Sequence, residues 1–574
     1  MIAVSACKEA GVIVHKEPQK PSGVVIYTAK TVITMAQEGD VASAVAVEDG
    51  HIVGVGDLAQ LEASFPQAEI DETFSNKTIL PGLIDPHIHV TLGAMQYALP
   101  FVPPWDMLTP DGMVPGLPDR EAFLTRLAEL EADAPEGAPL IVYGYHNLVH
   151  GDIDRHDLDA ISATRRIVVW HYSSHDFYLN TTALEWMNVD ASLAEEYVGV
   201  PLGQDGLPTG RIYEDAPEYL FQTLAPILLN PAHIEKGFAG LEKLIAQSGV
   251  TTVAELGYGI FNRTAEDIFI RTHYTQDDAY RLYLVPEHRA FTREFGDMAP
   301  TVIAAMTQSS AGTPAPVLPQ VKFFTDAAFY SQTMKLREPG YVGGQSAGTD
   351  GLWVTEPEAL AATMRPYWEM GFDIRIHSNG DAAQDATLKA LEKLREERPA
   401  PEQIMVLEHA ALMRPGHIDK ARQLGAGVSA ASHYVFYMGW DFRTAIGNRV
   451  KYITPLASVS AAGVPVTLHS DAPLAPLQPM RAASVHMSRA TRQGGASTPT
   501  EGLSAHEALE AITRDAAWAL GLEKEIGTIE EGKHADFTIL EANPLDVEAE
   551  NWPDIPVWGV VLAGKKRGLR ANSE

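Results

Sequence analysis

Short apolar runs recur along most of the chain, and each meets polar or ionisable residues at its C-terminal end. In order they read LIDPHIH, TTVAELG, RLYLVPEHR, VKFFTD, DIRIHSNGD, IMVLEHA, AGVSAASH and PVTLHSD, from Leu83 to Asp471. Continuous apolar runs are the mark of parallel strands buried on both faces. Stretches with helical spacing, such as EALAATMRPYWEMG and DAAQDATLKALEKLREE, separate most of them. Eight strand–helix units of this kind predict an α/β fold, a (β/α)8 TIM barrel. Pro86 within the first run argues mildly against a strand there, but is tolerable near a strand's end.

Before and after this region the pattern changes to short β-rich runs with glycine turns. VVIYTAKTVITM is followed by ASAVAVEDGHIVGVG, in which Asp49-Gly50 between apolar runs signals a hairpin. IGTIEEGKHADFTIL and VWGVVLAGKKR echo this at the far end. The expectation is a composite β-sandwich built from residues 23–80 and 522–574, with the barrel inserted as residues 81–521 and a loose arm over residues 1–22. Residues from about 95 to about 240 are far too many for a connection between two barrel strands. With a helix-like REAFLTRLAELEAD and a strand-like RRIVVWHY, they predict an inserted subdomain over the barrel mouth.

Composition narrows the function. At 574 residues, 45% apolar and 21% charged, the chain reads as globular. A formal charge of −32 argues against a nucleic-acid partner, which would need clustered Lys and Arg. No apolar run has the length of a membrane span, and Lys8-Glu9 interrupts any signal-peptide core, so no membrane partner is expected. Cys7 is the single cysteine, which excludes an intramolecular disulfide and suits a cytoplasmic location. A small-molecule substrate remains, and a homodimer is compatible with this surface.

The ionisable residues at the strand ends then form an ordered set. His87 and His89 come from the first strand, Lys322 from the fourth, His377 from the fifth, His409 from the sixth and Asp471 from the eighth. Residues two apart in a strand share a face, so His87 and His89 aim two imidazoles at one point. Alone, an H-x-H pair is as well read as two hydrogen-bonded polar residues, and Asp471 as a helix cap. Together at the C-terminal ends of separate strands, the six predict a site for one or two borderline metals, Zn2+ being the expected ion.

These motifs resemble the amidohydrolase superfamily, in particular the amidohydrolase family 3 branch that contains N-substituted formamide deformylases. LPGLIDPHIH, VKFFTD, IRIHSNGDAAQDATLKALE, LEHA and HSDAPLAPLQPM are similar to its strand motifs, and HDFYLNTTAL and GLPTGRIYEDA to stretches of its insert. GTIEEGKHADFTIL is similar to the superfamily's composite sandwich. The chain departs at Ala327 after the fourth-strand Asp, at SNGD, and at His469-Ser470, where a glycine is more usual before the eighth-strand Asp.

The resemblance implies a metal-dependent hydrolase of a non-peptide C–N bond in an amide, formamide or N-acyl amine. His87 and His89 would bind one zinc, His377 and His409 a second, and Lys322 would bridge them after carboxylation by CO2. Asp471 would take the proton from a metal-activated water and pass it to the leaving nitrogen. His433 in SAASHYVFYMG is a candidate donor to the oxyanion, or a loop histidine with no role. Asp85 and Asp381 are candidates to orient imidazoles, with a helix cap as the plainer role of Asp381. Glu255 would line the pocket or pair with a lysine or arginine.

His175, Arg211, Glu214 and Trp440 are further candidates at the lid or mouth. Aromatic residues in FVPPWDM, WHYSSHDFY and VFYMGWDF favour an apolar or aryl-bearing amide if they line the pocket, though aromatics more often pack a core. The same site could act on a lactone, a cyclic imide or an amino-heterocycle. A catalytically inactive scaffold is the alternative of a different class, and it would be expected to have lost ligands.

Overall fold

All eight apolar runs form strands: Leu83–Ile88, Val250–Tyr258, Arg281–Pro286, Gln320–Phe324, Asp373–His377, Met405–His409, Gly427–Ala431 and Val466–His469. The computed structural model describes residues 23–214, 216–275 and 278–569; the arm expected over residues 1–22 lies outside them. Every neighbouring pair among these strands is parallel. The second strand lies between the third and the first, and the fourth to eighth follow one another in chain order. The two sheets adjoin at both sides. Glu287, after the third strand, bridges Lys322 of the fourth. The turn after the eighth strand meets the first through Asp471 N–H to His87 O, 3.1 Å, and His89 N–H to Ala472 O, 2.9 Å.

Burial explains why these runs need no polar alternation. Ile374, Ile376, Leu407, Val428 and Leu468 are inaccessible or nearly so and share one core with the flanking helices. Each such side chain contributes roughly 1.5–3 kcal/mol relative to exposure. Pro86 sits where the pairing of the first strand with the second skips, between Val253–Asp85 and Glu255–Ile88. The missing proline N–H therefore costs the sheet little.

The strands from both chain ends pair in one seven-stranded sheet, in the order Lys565–Gly568, Val557–Leu562, Phe537–Leu540, Glu69–Pro81, Val25–Ile33, Val41–Glu48, His51–Gly56. This is one continuous sheet rather than two facing ones, and its last strand is tied back by a bridge from His51 to His534. Asp49 and Gly50 both have positive φ, as a tight hairpin turn requires.

The insert carries its own four-stranded sheet, Arg211–Tyr213, Asp176–Leu179, Ile167–His171 and Leu140–Tyr145. The helix Arg120–Asp133 starts at Asp119, whose carboxylate accepts from Ala122 N–H at 2.9 Å. It packs Phe123 and Leu127 onto Val142 and Val169 in a separate apolar cluster.

Candidate functional site

The first strand delivers His87 and His89 beside the end of the eighth. His87 Nδ1 lies 2.8 Å from Glu408 Oε2, and His89 Nδ1 lies 3.2 Å from Glu255 Oε1. A carboxylate only accepts, so each Nδ1 carries a proton; neutral His87 then presents a lone pair at Nε2, while the Asp471 carboxylate favours a second proton on His89 Nε2. Both Nε2 atoms face one oxygen: Asp471 Oδ1 is 3.2 Å from His89 Nε2 and 3.5 Å from His87 Nε2. No well-aligned hydrogen bond to Asp471 Oδ1 exists among the described residues. Two imidazole nitrogens and a carboxylate oxygen thus converge in a largely buried place. This is a nitrogen–oxygen donor set that suits a borderline divalent cation.

The local electrostatics agree. Burial disfavours a charge on His89, but Asp471 and Glu255 outweigh it and raise its pKa to about 9. The field that holds a proton there is one that would hold a cation. Burial raises the cost of ionising Asp471, yet the surrounding imidazoles of His409, His89 and His469 hold its pKa well below the usual carboxylate range. Lys322 Nζ lies 3.4 Å from His87 Nε2, and burial brings its pKa down to about 8.

The fifth and sixth strands bring His377 and His409 together, with ring centroids 4.5 Å apart, and His409 lies 4.9 Å from the His87 ring. His377 Nε2 is engaged by Ala327 O at 3.1 Å and the Asn379 amide at 2.8 Å. Neighbours in a strand normally point to opposite faces, yet Glu408 and His409 both reach His87. The positive φ of His409 and Ala410, 69° and 42°, breaks the alternation at this strand end. Asp471, with φ 57°, turns similarly at the end of the eighth.

Several residues do something other than expected. Asp85 is buried against the eighth-strand turn and accepts from Ser470 N–H at 3.2 Å and His87 N–H at 3.4 Å. It positions backbone and no imidazole. Asp381 neither orients an imidazole nor caps its helix; it accepts from Arg337 N–H at 2.9 Å and Arg414 Nε at 2.7 Å, tying two loops to the helix Asp381–Glu397. Gly380 before it is required by close approach, since a Cβ there would meet Lys335 O at 1.8 Å. Glu255 pairs with a histidine, not with lysine or arginine, and its other oxygen accepts from Val90 N–H at 2.6 Å. Arg211 holds Asp176 through Nε at 2.8 Å and Nη2 at 2.6 Å within the insert.

Glu214 accepts from Thr333 and lies 3.1 Å from His175 Nδ1, so it links the insert to the fourth-strand loop. His175 in turn stands 6.5 Å from the His377 ring. Trp440 is 36% exposed with Arg443 above its ring, outside the buried cluster.

Three participants carried no expected role. Glu408 is the partner of His87, and its second oxygen accepts from buried Arg375 Nε at 2.5 Å. His469, noted only as a departure from the usual glycine, lies 3.1 Å from His409 Nδ1. A buried glutamate next to a strand-end histidine, and a histidine two before Asp471 on the same strand face, were the available signals.

A model of the amidohydrolase family matches residues 75–566. The chain belongs to the amidohydrolase family. It is accordingly a hydrolase. It is 24% identical to the putative amidohydrolase YtcJ of Bacillus subtilis over 94% of this chain and 98% of the relative. It is 25% identical to the N-substituted formamide deformylase of Arthrobacter pascens over 94% and 97% of the two chains. Among solved structures, a metal-dependent hydrolase from Pyrococcus horikoshii aligns with a TM-score of 0.67 at 19% identity, covering 92% of this chain and 99% of the other. That likeness establishes the amidohydrolase α/β fold.

Beside the buried cluster, this amidohydrolase has an aromatic wall built from Trp105 and Tyr172 of the segment between the first and second strands and from Tyr330, His433 and Tyr437 of later loops and helices. Trp105 stacks on Tyr437 at 4.5 Å and meets Tyr172 edge-on at 4.6 Å; Tyr330 lies 5.3 Å from both Tyr172 and His433. His433 begins the helix His433–Met438, and burial lowers its pKa to about 4, so it is a neutral imidazole. Both His433 nitrogens, Tyr330 Oη and the Nε2 atoms of His146 and His171 have no hydrogen-bond partner among the described residues.

Proposed function

We propose that this chain is a metal-dependent hydrolase of a non-peptide C–N bond, in an amide, formamide or N-acyl amine. The observation that carries this reading is the convergence of two imidazole nitrogens on one carboxylate oxygen, at 3.2 and 3.5 Å, in a place whose field favours positive charge. In this reading the two parallel sheets are arcs of one (β/α)8 barrel, with the terminal strands as a composite domain and residues of about 95 to 240 as its lid. His87, His89 and Asp471 would hold one ion, Zn2+ being best suited to the donors. His377 and His409 would hold a second, with Lys322 between them once carboxylated; its lowered pKa supports this, because only the neutral amine reacts with CO2.

A divalent ion bound here supplies Lewis acidity and lowers the pKa of a water to about 7. The chain's own residues do the rest. Glu408 and Glu255 hold His87 and His89 in one tautomer. Asp471 takes the proton from the attacking water and returns it to the leaving nitrogen. Neutral His433, whose nitrogens lack other partners, donates to the developing oxyanion. The aromatic wall supports an apolar or aryl-bearing amide. A panel of formamides, other N-acyl amines, lactones and amino-heterocycles tests the reading. C–N hydrolysis confined to the acyl amines is expected, and turnover of lactones or amino-heterocycles alone would overturn it.

A further inference from the structure

The metal-holding reading gives His409 one nitrogen to offer an ion, and the structure contains a device that decides which. His469 is buried directly beside it, with Nε2 3.1 Å from His409 Nδ1. On its far side, His469 Nδ1 lies 2.8 Å from Ser429 Oγ of the seventh strand. Ser429 is inaccessible to solvent, so this is a closed row of three side chains from the sixth, eighth and seventh strands.

A neutral imidazole has one N–H and one lone pair, so the row has two possible polarities. In one, Ser429 donates to His469, His469 donates to His409 Nδ1, and His409 must carry its proton on Nε2. In the other, His409 Nδ1–H donates to His469 Nε2, His469 Nδ1–H donates to Ser429, and His409 Nε2 is a lone pair. The Glu408 carboxylate selects between them. Its Oε2 lies 3.9 Å from His469 Nδ1, and a nearby negative charge favours a proton on that nitrogen. Glu408 thus acts twice, holding the proton on His87 Nδ1 at 2.8 Å and biasing the one on His469 Nδ1.

We propose that His469, backed by Ser429, is a positioning residue that fixes His409 as the Nδ1–H tautomer and turns its Nε2 lone pair toward the site. His469 is thereby a partner of a ligand and not itself a ligand, although it lies close enough to His87 and His409 to be mistaken for one. The inference rests on the metal-dependent reading for its purpose, but its chemistry is testable without metal.

The test uses the full chain, selectively 15N-labelled at histidine, and compares wild type with His469→Gly and His469→Gln. In metal-free wild type, nitrogen NMR should show His409 as the Nδ1–H tautomer. In His469→Gly this preference should be lost, and His469→Gln, which keeps an acceptor, should restore it in part. Circular dichroism identifies any variant that fails to fold, in which case Ser429→Ala provides the same comparison. Titration with Zn2+ should then show about 10- to 100-fold weaker binding of one ion in His469→Gly, with the other unchanged. An Nε2–H His409 in wild type overturns the proposal, as does unaltered zinc affinity in a folded His469→Gly. Loss of one zinc with His409 still in its wild-type tautomer would make His469 a ligand, which also overturns it. A wild-type protein with the expected tautomer but no zinc uptake would contradict the proposed function and leave the relay standing.

Discussion

Two sets of buried polar side chains meet at the strand ends, and they differ in how completely they are partnered. Beneath the site, three hydrogen-bonded groups lie side by side: His87 with Glu408 and Arg375, His89 with Glu255, and the row of His409, His469 and Ser429. Beside it, His433, Tyr330, His146 and His171 carry buried atoms with no partner among the described residues. A buried polar group without a partner costs about 1–3 kcal/mol, so a protein keeps such groups only where something else is served. The partnered groups fix geometry in advance, as the proposed ion would need. The wall leaves hydrogen-bonding capacity open for an occupant that comes and goes.

The largest expected effect falls where the two sets meet. Asp471→Asn should lower kcat by about 10³-fold through loss of the proposed proton transfer, and elemental analysis should show weaker metal retention because a charged ligand is replaced by a neutral one. Wild-type turnover in that variant would remove Asp471 from the chemistry. Among the partnered groups, Glu408→Ala strands Arg375 as an uncompensated buried charge and frees His87. Denaturant unfolding should show a loss of about 3–5 kcal/mol, and metal affinity should fall about 10- to 100-fold.

Acid gives an intermediate effect. Burial lowers the pKa of His433 and His288 to about 4 and of His377 to about 3, from 6.5. Between pH 6.5 and 4 the unfolded chain therefore binds protons that the folded chain refuses. Stability of the metal-free protein should be highest above pH 6.5 and fall as pH drops toward 4, measured by thermal melts across that window. His89, whose pKa is raised to about 9, works in the opposite sense, its contribution being present below 6.5 and lost as pH rises through 9.

The smallest effect is the most pointed. Tyr330→Phe removes a hydroxyl that bonds to nothing in the described structure, so unfolding stability should stay within about 1 kcal/mol of wild type or rise. KM for an amide substrate should nevertheless change. A large destabilisation would show that the wall is partnered after all.

Much of this arrangement is legible in the chain because buried parallel strands are apolar up to the residues at their C-terminal ends. His87, His89, His377, His409 and Asp471 stand out for that reason, whereas Lys322, expected at a strand end, lies in the middle of its strand and stands out as a lysine within an apolar run. What escapes is contact between strands. Glu408 looks like the outward neighbour of His409 until a left-handed backbone breaks the alternation. Asp85 and Asp381 look like imidazole partners because they sit next to the right motifs, but their oxygens are taken by backbone N–H groups and arginines. The terminal strands announce a composite unit by their hairpin and glycine turns, while nothing in their pattern distinguishes one continuous sheet from two.

In the proposed function, His87, His89 and Asp471 converge because a cation belongs between them. Elemental analysis of protein purified without chelator, wild type beside His87→Ala, tests it most directly. The expected result is one or two divalent transition-metal ions per wild-type chain, with metal and hydrolysis lost together in His87→Ala. Active wild-type protein without stoichiometric metal, or a His87→Ala variant that keeps its full complement, would contradict it.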